Sequence, residues 1–348
     1  MAKNKAVLYI VNTISVKCVE PQVGNRQHGI IGLTAMNDTF RLAHLSDLHL
    51  SSLNGVGMRD LLNKRVYGYL RWKLRRGAEH SGKVLEALVR DLQSNKPDHI
   101  AITGDLTHLG LPSEFQKAAQ WLQSVGSPSQ ITVIPGNHDS YVKTPWNRTF
   151  AFWASYMVSD STQLHAAADS NPNSTFPSLR VRGKTALIGV CTARPSALFL
   201  AVGRVGQLQL QKLEKILLET GQQQLLRVVL MHHPPVKGTV SWRKRLTDGA
   251  TFRSVLARHG AELVLHGHAH RTSLTQLQVP GGLAPAVGVP SASSLGRKFR
   301  RLARYHIYHL SHDSQEREIR LSVRCYSPAE GCFTSEGERQ LRLPQPAL

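Results

Sequence analysis

Five apolar runs in this chain each stop on a group of polar residues able to hold a metal, and the groups follow one another in a fixed order. FRLAHLSDLH ends on Asp47-Leu48-His49, DHIAITGD on Gly104-Asp105, and ITVIPGNHD on Gly136-Asn137-His138-Asp139. LRVVLMHH ends on His232-His233 and ELVLHGHAH on Gly267-His268-Ala269-His270. Short β-prone runs bounded by Gly, Pro and Asn read as strands. Helical patterns over GKVLEALVRDLQS, SEFQKAAQWLQ and GQLQLQKLEKILLE alternate with them. That alternation predicts an α/β fold with parallel strands. Ligands in such sheets bind beyond the carboxyl ends of the strands, so the topology gathers these polar residues in one crevice.

Taken singly, each group is weak. Gly-Asp is a common turn, and a histidine at a strand end is usually an ordinary polar residue. Taken together they supply two Asp, one Asn and at least four His at strand-to-loop junctions, with glycines where backbone must pass close.

The ordered set D-x-H, G-D, G-N-H-D, H, G-H-x-H resembles the calcineurin-like metallophosphoesterase superfamily across roughly residues 40–311. The wider texture, RLAHLSDLHL, TGDLTHLGLPSEF, VIPGNHD, LMHHPP and HGHAH, is most similar to the bacterial branch that includes class III cyclic nucleotide phosphodiesterases. The resemblance implies a two-sheet β-sandwich flanked by helices, with a dinuclear metal site at the strand carboxyl ends. It further implies that Asp47, His49, Asp105 and His270 hold one ion, while Asp105, Asn137, His232 and His268 hold the other. Seven N and O donors exceed what one ion needs, and a shared carboxylate can bridge two ions about 3.5–4 Å apart.

The expected reaction is hydrolysis of a phosphate ester, foremost a phosphodiester, by a metal-bridging hydroxide. His138 is the expected acid toward the leaving alkoxide. Asp139 is either a carboxylate that orients His138 or a turn and cap residue. Neighbours on a strand face opposite ways, so one of His232 and His233 is expected to be a ligand, and the resemblance implies that it is His232. A donor set of imidazole and oxygen without thiolate suits two divalent or mixed-valence ions of Mn, Fe, Zn, Ni or Co. The Ser/Thr phosphatase motif G-D-x-x-D-R-G is replaced here by Gly104-Asp105-Leu106-Thr107-His108-Leu109-Gly110.

The chain has 348 residues and carries 43 Lys and Arg against 23 Asp and Glu, a net charge of +20. Such a field favours anionic partners. Three segments hold most of it: 59–76 at net +6, 237–258 at +5 and 297–304 at +5. In the first, Leu62, Val66, Leu70 and Leu74 recur every four residues with Tyr67, Tyr69 and Trp72 between them, the pattern of a basic amphipathic helix. Two placements stay open. Its Leu face packs on the domain and its basic face is solvated, or it forms a lip for a phosphate-rich or membrane-bound substrate. A small phosphorylated substrate is therefore expected, with an anionic membrane surface as a second partner through residues 59–76. A lipid-linked diphosphate, such as that cleaved by UDP-diacylglucosamine pyrophosphatases, is the alternative substrate. Nucleic acid has no recognised binding motif in its favour.

Residues 1–37 read as an extension ahead of the catalytic domain at 38–311, which carries a basic insert at 51–80; residues 312–348 form a C-terminal strand and tail. The start MAKNKAVLYIVNTISVKC lacks a small-residue cleavage site and is interrupted by Asn12, Thr13 and Lys17, which argues against a signal peptide. The default location is the cytoplasm, peripheral to the inner membrane face. The four cysteines, Cys18, Cys191, Cys325 and Cys332, do not form a disulfide framework.

Overall fold

A computed structural model describes residues 39–50, 53, 56–61, 63–75, 80–160, 175–296, 302–311 and 318–345. The extension at 1–37, Leu62 and most of the 297–304 basic run lie outside the described residues.

Two six-stranded sheets form the frame. The first joins β1 (Thr39–Leu45), β2 (His99–Ile102) and β3 (Ile131–Val133), all parallel, to β10 (Arg304–Ser311), β11 (Glu318–Ser327) and β12 (Cys332–Arg342), added antiparallel beside β1 in the order β12-β11-β10-β1-β2-β3. The second contains β4 (Ser178–Arg182), β5 (Thr185–Val190), β6 (Leu226–Met231), β7 (Leu263–His266), β8 (Ser273–Val279) and β9 (Gly282–Gly288) in the order β4-β5-β6-β7-β9-β8. Strands β5, β6, β7 and β9 are parallel.

The sequence of β6 shows how one strand serves two interiors. Val228 and Leu230 join a core shared with Leu42, Leu45 and Ile102 of the first sheet. Val229 and Met231, pointing the other way, pack with Leu210, Leu213 and Leu217 of α4 (Gln207–Gln222) and Phe252 of α5 (Gly249–His259). The continuous apolar run is thus the signature of a strand covered on both faces. Helices α2 (Gly82–Asn95) and α3 (Pro112–Val125) bury Val84, Leu88, Phe115 and Leu122 in the first core. Asp91 of α2 accepts hydrogen bonds from Arg324 Nε at 2.9 Å and the Tyr305 hydroxyl at 2.5 Å, tying the C-terminal strands to the domain.

The basic insert forms α1 (Arg65–Arg75), whose orientation excludes the first of the two placements left open by the sequence. Its Leu face does not pack on the domain. Arg65 and Trp72 are buried, whereas Val66, Tyr67, Leu70 and Leu74 are exposed. The Arg65 guanidinium donates to the carbonyls of Leu109 and Gly110, so a cation that reads as solvated is an interior fastener. Gly68 sits where α1 crosses Leu109 and Tyr141, and a Cβ there would come within 2.7 Å of the Tyr141 hydroxyl.

Candidate metal centre

Every sequence-derived donor lies just past a strand. Asp47 and His49 follow β1, Asp105 follows β2, Asn137 follows β3, His232 directly follows β6, and His268 and His270 follow β7. The loops are stitched together by backbone: the Asp47 N–H donates to Gly104 O at 2.9 Å and the His49 N–H to Asp105 O at 3.0 Å. Five of the seven candidates, Asp47, His49, Asp105, His268 and His270, have φ between 44° and 66°. Left-handed backbone is uncommon for such residues and persists where the surroundings enforce it, often at functional sites. Gly136 allows a close approach, since a Cβ there would overlap the Asp105 carboxylate.

The donor atoms fall into two groups that share Asp105. Those of Asp47, His49, Asp105 and His270 all lie within 4.8 Å of one another, as do those of Asp105, His232 and His268. Asn137 Oδ1 stands 3.1 Å from His232 Nε2 and so belongs with the second group.

The chemistry of the donors fits divalent metal ions. His49 Nδ1 bonds to the Thr107 carbonyl at 2.9 Å, which assigns the proton to Nδ1 and leaves Nε2 as a lone pair. That Nε2 is buried and has no hydrogen-bond partner. Burial, and then His80 and His108 nearby, hold the His49 ring neutral. His232 Nδ1 is likewise fixed, by the Thr103 carbonyl at 2.6 Å. Burial would push Asp47 and Asp105 up, but His270 beside Asp47 and His232 beside Asp105 outweigh it and hold both carboxyls low. Burial opposes charge on His232, yet the Asp105 carboxylate lifts it to about 9.

The His233 ring packs 4.4 Å from that of His268, but both its nitrogens are engaged elsewhere, Nδ1 on Thr192 Oγ1 at 2.8 Å and Nε2 on the Ala201 carbonyl at 3.2 Å. His266 is buried in the second sheet. His138 lines the cleft, its N–H donating to Asp105 Oδ1 at 2.7 Å and its Nδ1 meeting the His108 carbonyl at 2.5 Å. That carbonyl holds the ring through Nδ1. Both Asp139 oxygens face backbone, accepting the N–H groups of Asp105, Thr107 and Gly136 at 2.8–2.9 Å.

The cleft above the donors has a volume of about 420 Å³ and is lined in part by Trp72, His108, Tyr141, Phe199, Arg243 and Lys244. Of these, Tyr141 and Phe199 had no sequence signal, nor had His80, whose ring lies 4.7 Å from that of His49. None of the three falls in a motif.

An α/β two-sheet frame with a shared-carboxylate donor cluster defines a metal-dependent phosphate-ester hydrolase. The family model of the calcineurin-like phosphoesterases matches residues 40–272, and the chain belongs to that family. A protein of Synechococcus named a probable cyclic nucleotide phosphodiesterase is 27% identical over 210 residues, covering 60% of this chain and 69% of that protein. A glycerophosphodiester phosphodiesterase of Enterobacter lignolyticus is 32% identical over 98 residues, covering 28% of this chain and 29% of its own. Among solved structures, a dimetal phosphatase from Danio rerio superposes with a TM-score of 0.55 at 12% identity, covering 87% of this chain and 98% of that one. A purple acid phosphatase from yellow lupin gives 0.51 at 10% identity, covering 88% and 54%. These two share the fold.

Proposed function

We propose that the chain is a phosphodiesterase whose two metal ions, drawn from Mn, Fe, Zn, Ni and Co, are held by Asp47, His49, Asp105 and His270 and by Asp105, Asn137, His232 and His268. The observation that carries this is the sharing of Asp105 between two donor groups at the base of one cleft. Bound divalent ions supply charge neutralisation for the phosphoryl oxygens and activation of water near neutral pH. His138 protonates the leaving alkoxide, its ring held by the His108 carbonyl. The names of the Synechococcus and Enterobacter relatives favour a diester over a monoester.

Purified protein with added Mn²⁺ should cleave an aryl phosphodiester faster than the matching monoester, and Asp105→Ala should abolish both the cleavage and most metal binding. Cleavage surviving in Asp105→Ala, or a preference for the monoester, would overturn the proposal.

A second reading is cleavage of a lipid-linked diphosphate, favoured by the exposed Tyr67 and Phe199 at the edge of the cleft. Among the described residues no helix is long and apolar enough to cross a membrane, so such a substrate would be met at a surface. Cytoplasmic placement, peripheral to the inner membrane face, accords with that reading.

A further inference from the structure

The exposed side of α1 is a continuous apolar stripe. Val66, Tyr67, Leu70 and Leu74 are 36, 52, 50 and 80% exposed and recur at helical spacing along one face. Arg65 fixes that orientation from the opposite side, by its bonds to the Leu109 and Gly110 carbonyls and to Thr144 Oγ1.

The stripe continues across the mouth of the cleft. Tyr67 meets Phe199 edge-on at 6.3 Å, and Lys64 Nζ donates to the Ser196 carbonyl at 2.7 Å, latching α1 to the facing loop. Phe199 is 74% exposed and held at φ 64°, a costly conformation for a bulky residue. The same loop joins a third segment, because the Ala201 N–H donates to the Arg243 carbonyl at 2.8 Å. That segment carries Trp242, 60% exposed, beside exposed Arg243, Lys244 and Arg245. It touches the metal centre through His268 Nε2, 3.0 Å from the Lys244 carbonyl.

An exposed apolar patch of this extent marks an interaction surface. Leucines and aromatics flanked by Lys and Arg match the acyl and headgroup zones of an anionic bilayer. A second copy of this chain is a poor occupant, since each would carry the same net charge of +20.

We infer that α1, the 196–201 loop and the 241–245 segment form a collar that seats the cleft mouth on an anionic lipid bilayer, so that the substrate is a phosphate ester or diphosphate borne on an acyl-chain lipid. The lipid-surface half stands on the collar alone; the substrate half rests on the phosphoesterase reading.

The full chain, loaded with Mn²⁺, should co-sediment with vesicles of phosphatidylglycerol and phosphatidylethanolamine and far less with phosphatidylcholine alone. Leu70→Glu combined with Leu74→Glu should weaken that binding at least tenfold while leaving the rate on a small soluble aryl phosphodiester unchanged. Phe199→Gly, which suits the local backbone, should weaken vesicle binding from the other rim. A long-chain alkyl aryl phosphodiester embedded in vesicles should be cleaved faster than its short-chain counterpart, and the double variant should lose that advantage. Equal vesicle binding by the wild type and both variants would overturn the collar, as would a dimer broken by the double variant without any lipid binding. Intact vesicle binding with no cleavage of any phosphate ester or diphosphate would leave the collar standing and sink the phosphoesterase reading instead.

Discussion

Asp139 holds the backbone that presents Asp105: its Oδ2 accepts the Asp105 N–H and the Gly136 N–H, each at 2.8 Å, while Oδ1 accepts the N–H and hydroxyl of Thr107. Four donors converge on one buried carboxylate, which fixes the loops after β2 and β3 relative to each other. Asparagine keeps the shape but turns an NH₂ toward at least one of those N–H groups. Asp139→Asn should therefore lower metal affinity about 10–100-fold, as loss of outer hydrogen-bonding partners typically does. Metal content measured under limiting Mn²⁺ checks this, and unchanged affinity would show that Asp105 is positioned by other means.

His138 sits in the cleft on the loop after β3 with its Nδ1 engaged by the His108 carbonyl. If it protonates the leaving group, its removal matters most where the leaving group is a poor one. His138→Ala should cut turnover about 10²–10⁴-fold on an alkyl leaving group, and much less on p-nitrophenolate, with metal content retained. Equal losses on both substrates, or metal loss matching that of Asp105→Ala, would remove His138 from that role.

The frame and the gathering of the candidate donors were legible in the sequence because strand ends carry them and strands announce themselves by apolar runs. Sequence and structure agree on α2, α3 and α4 to within a residue or three at their ends, since each carries an amphipathic repeat. Strand β12 went unread: Cys332–Arg342 is mostly exposed polar sequence, recruited by backbone pairing with β11 and not by a hydrophobic pattern. The turn of α1 was illegible for a related reason. Nothing in the composition of an amphipathic basic helix says that Arg65 finds two carbonyls in the interior, and that one contact decides which face meets solvent. The cleft wall escaped notice because Tyr141, Phe199 and Lys244 come from three separate loops.

Away from the cleft, Arg227 and Glu262 form a buried ion pair, with Nε on Oε2 at 3.0 Å and Nη2 on Oε1 at 2.7 Å. The remaining Arg227 Nη1 donates to the carbonyls of Leu217 and His259, so the guanidinium knits β6 to the ends of α4 and α5. Glu262→Ala leaves that cation buried and unpaired, and should cost about 3–5 kcal/mol. Urea unfolding measures it. A loss below about 1 kcal/mol would mean that water reaches Arg227. Turnover of the folded fraction should be unaffected, because neither residue lines the cleft.

His306 gives the fold a pH dependence of predictable sign. Its ring lies buried in β10, with Nδ1 3.3 Å from the Tyr308 hydroxyl and Nε2 unpartnered. Burial first, then Arg304 and Arg339, push it down from 6.5 to about 3. Below about pH 6.5 the unfolded chain takes up a proton that the folded chain refuses, so the unfolded state gains. The contribution of His306 is complete above that pH and is lost progressively as the pH falls toward 3, with a limiting slope of about 1.4 kcal/mol per pH unit. His306→Leu cannot titrate, so its stability curve between about pH 6.5 and 4 should fall less steeply than the wild type's by up to that slope. Denaturant unfolding of both proteins across this window tests the point, and parallel curves would mean that the buried ring accepts its proton in place.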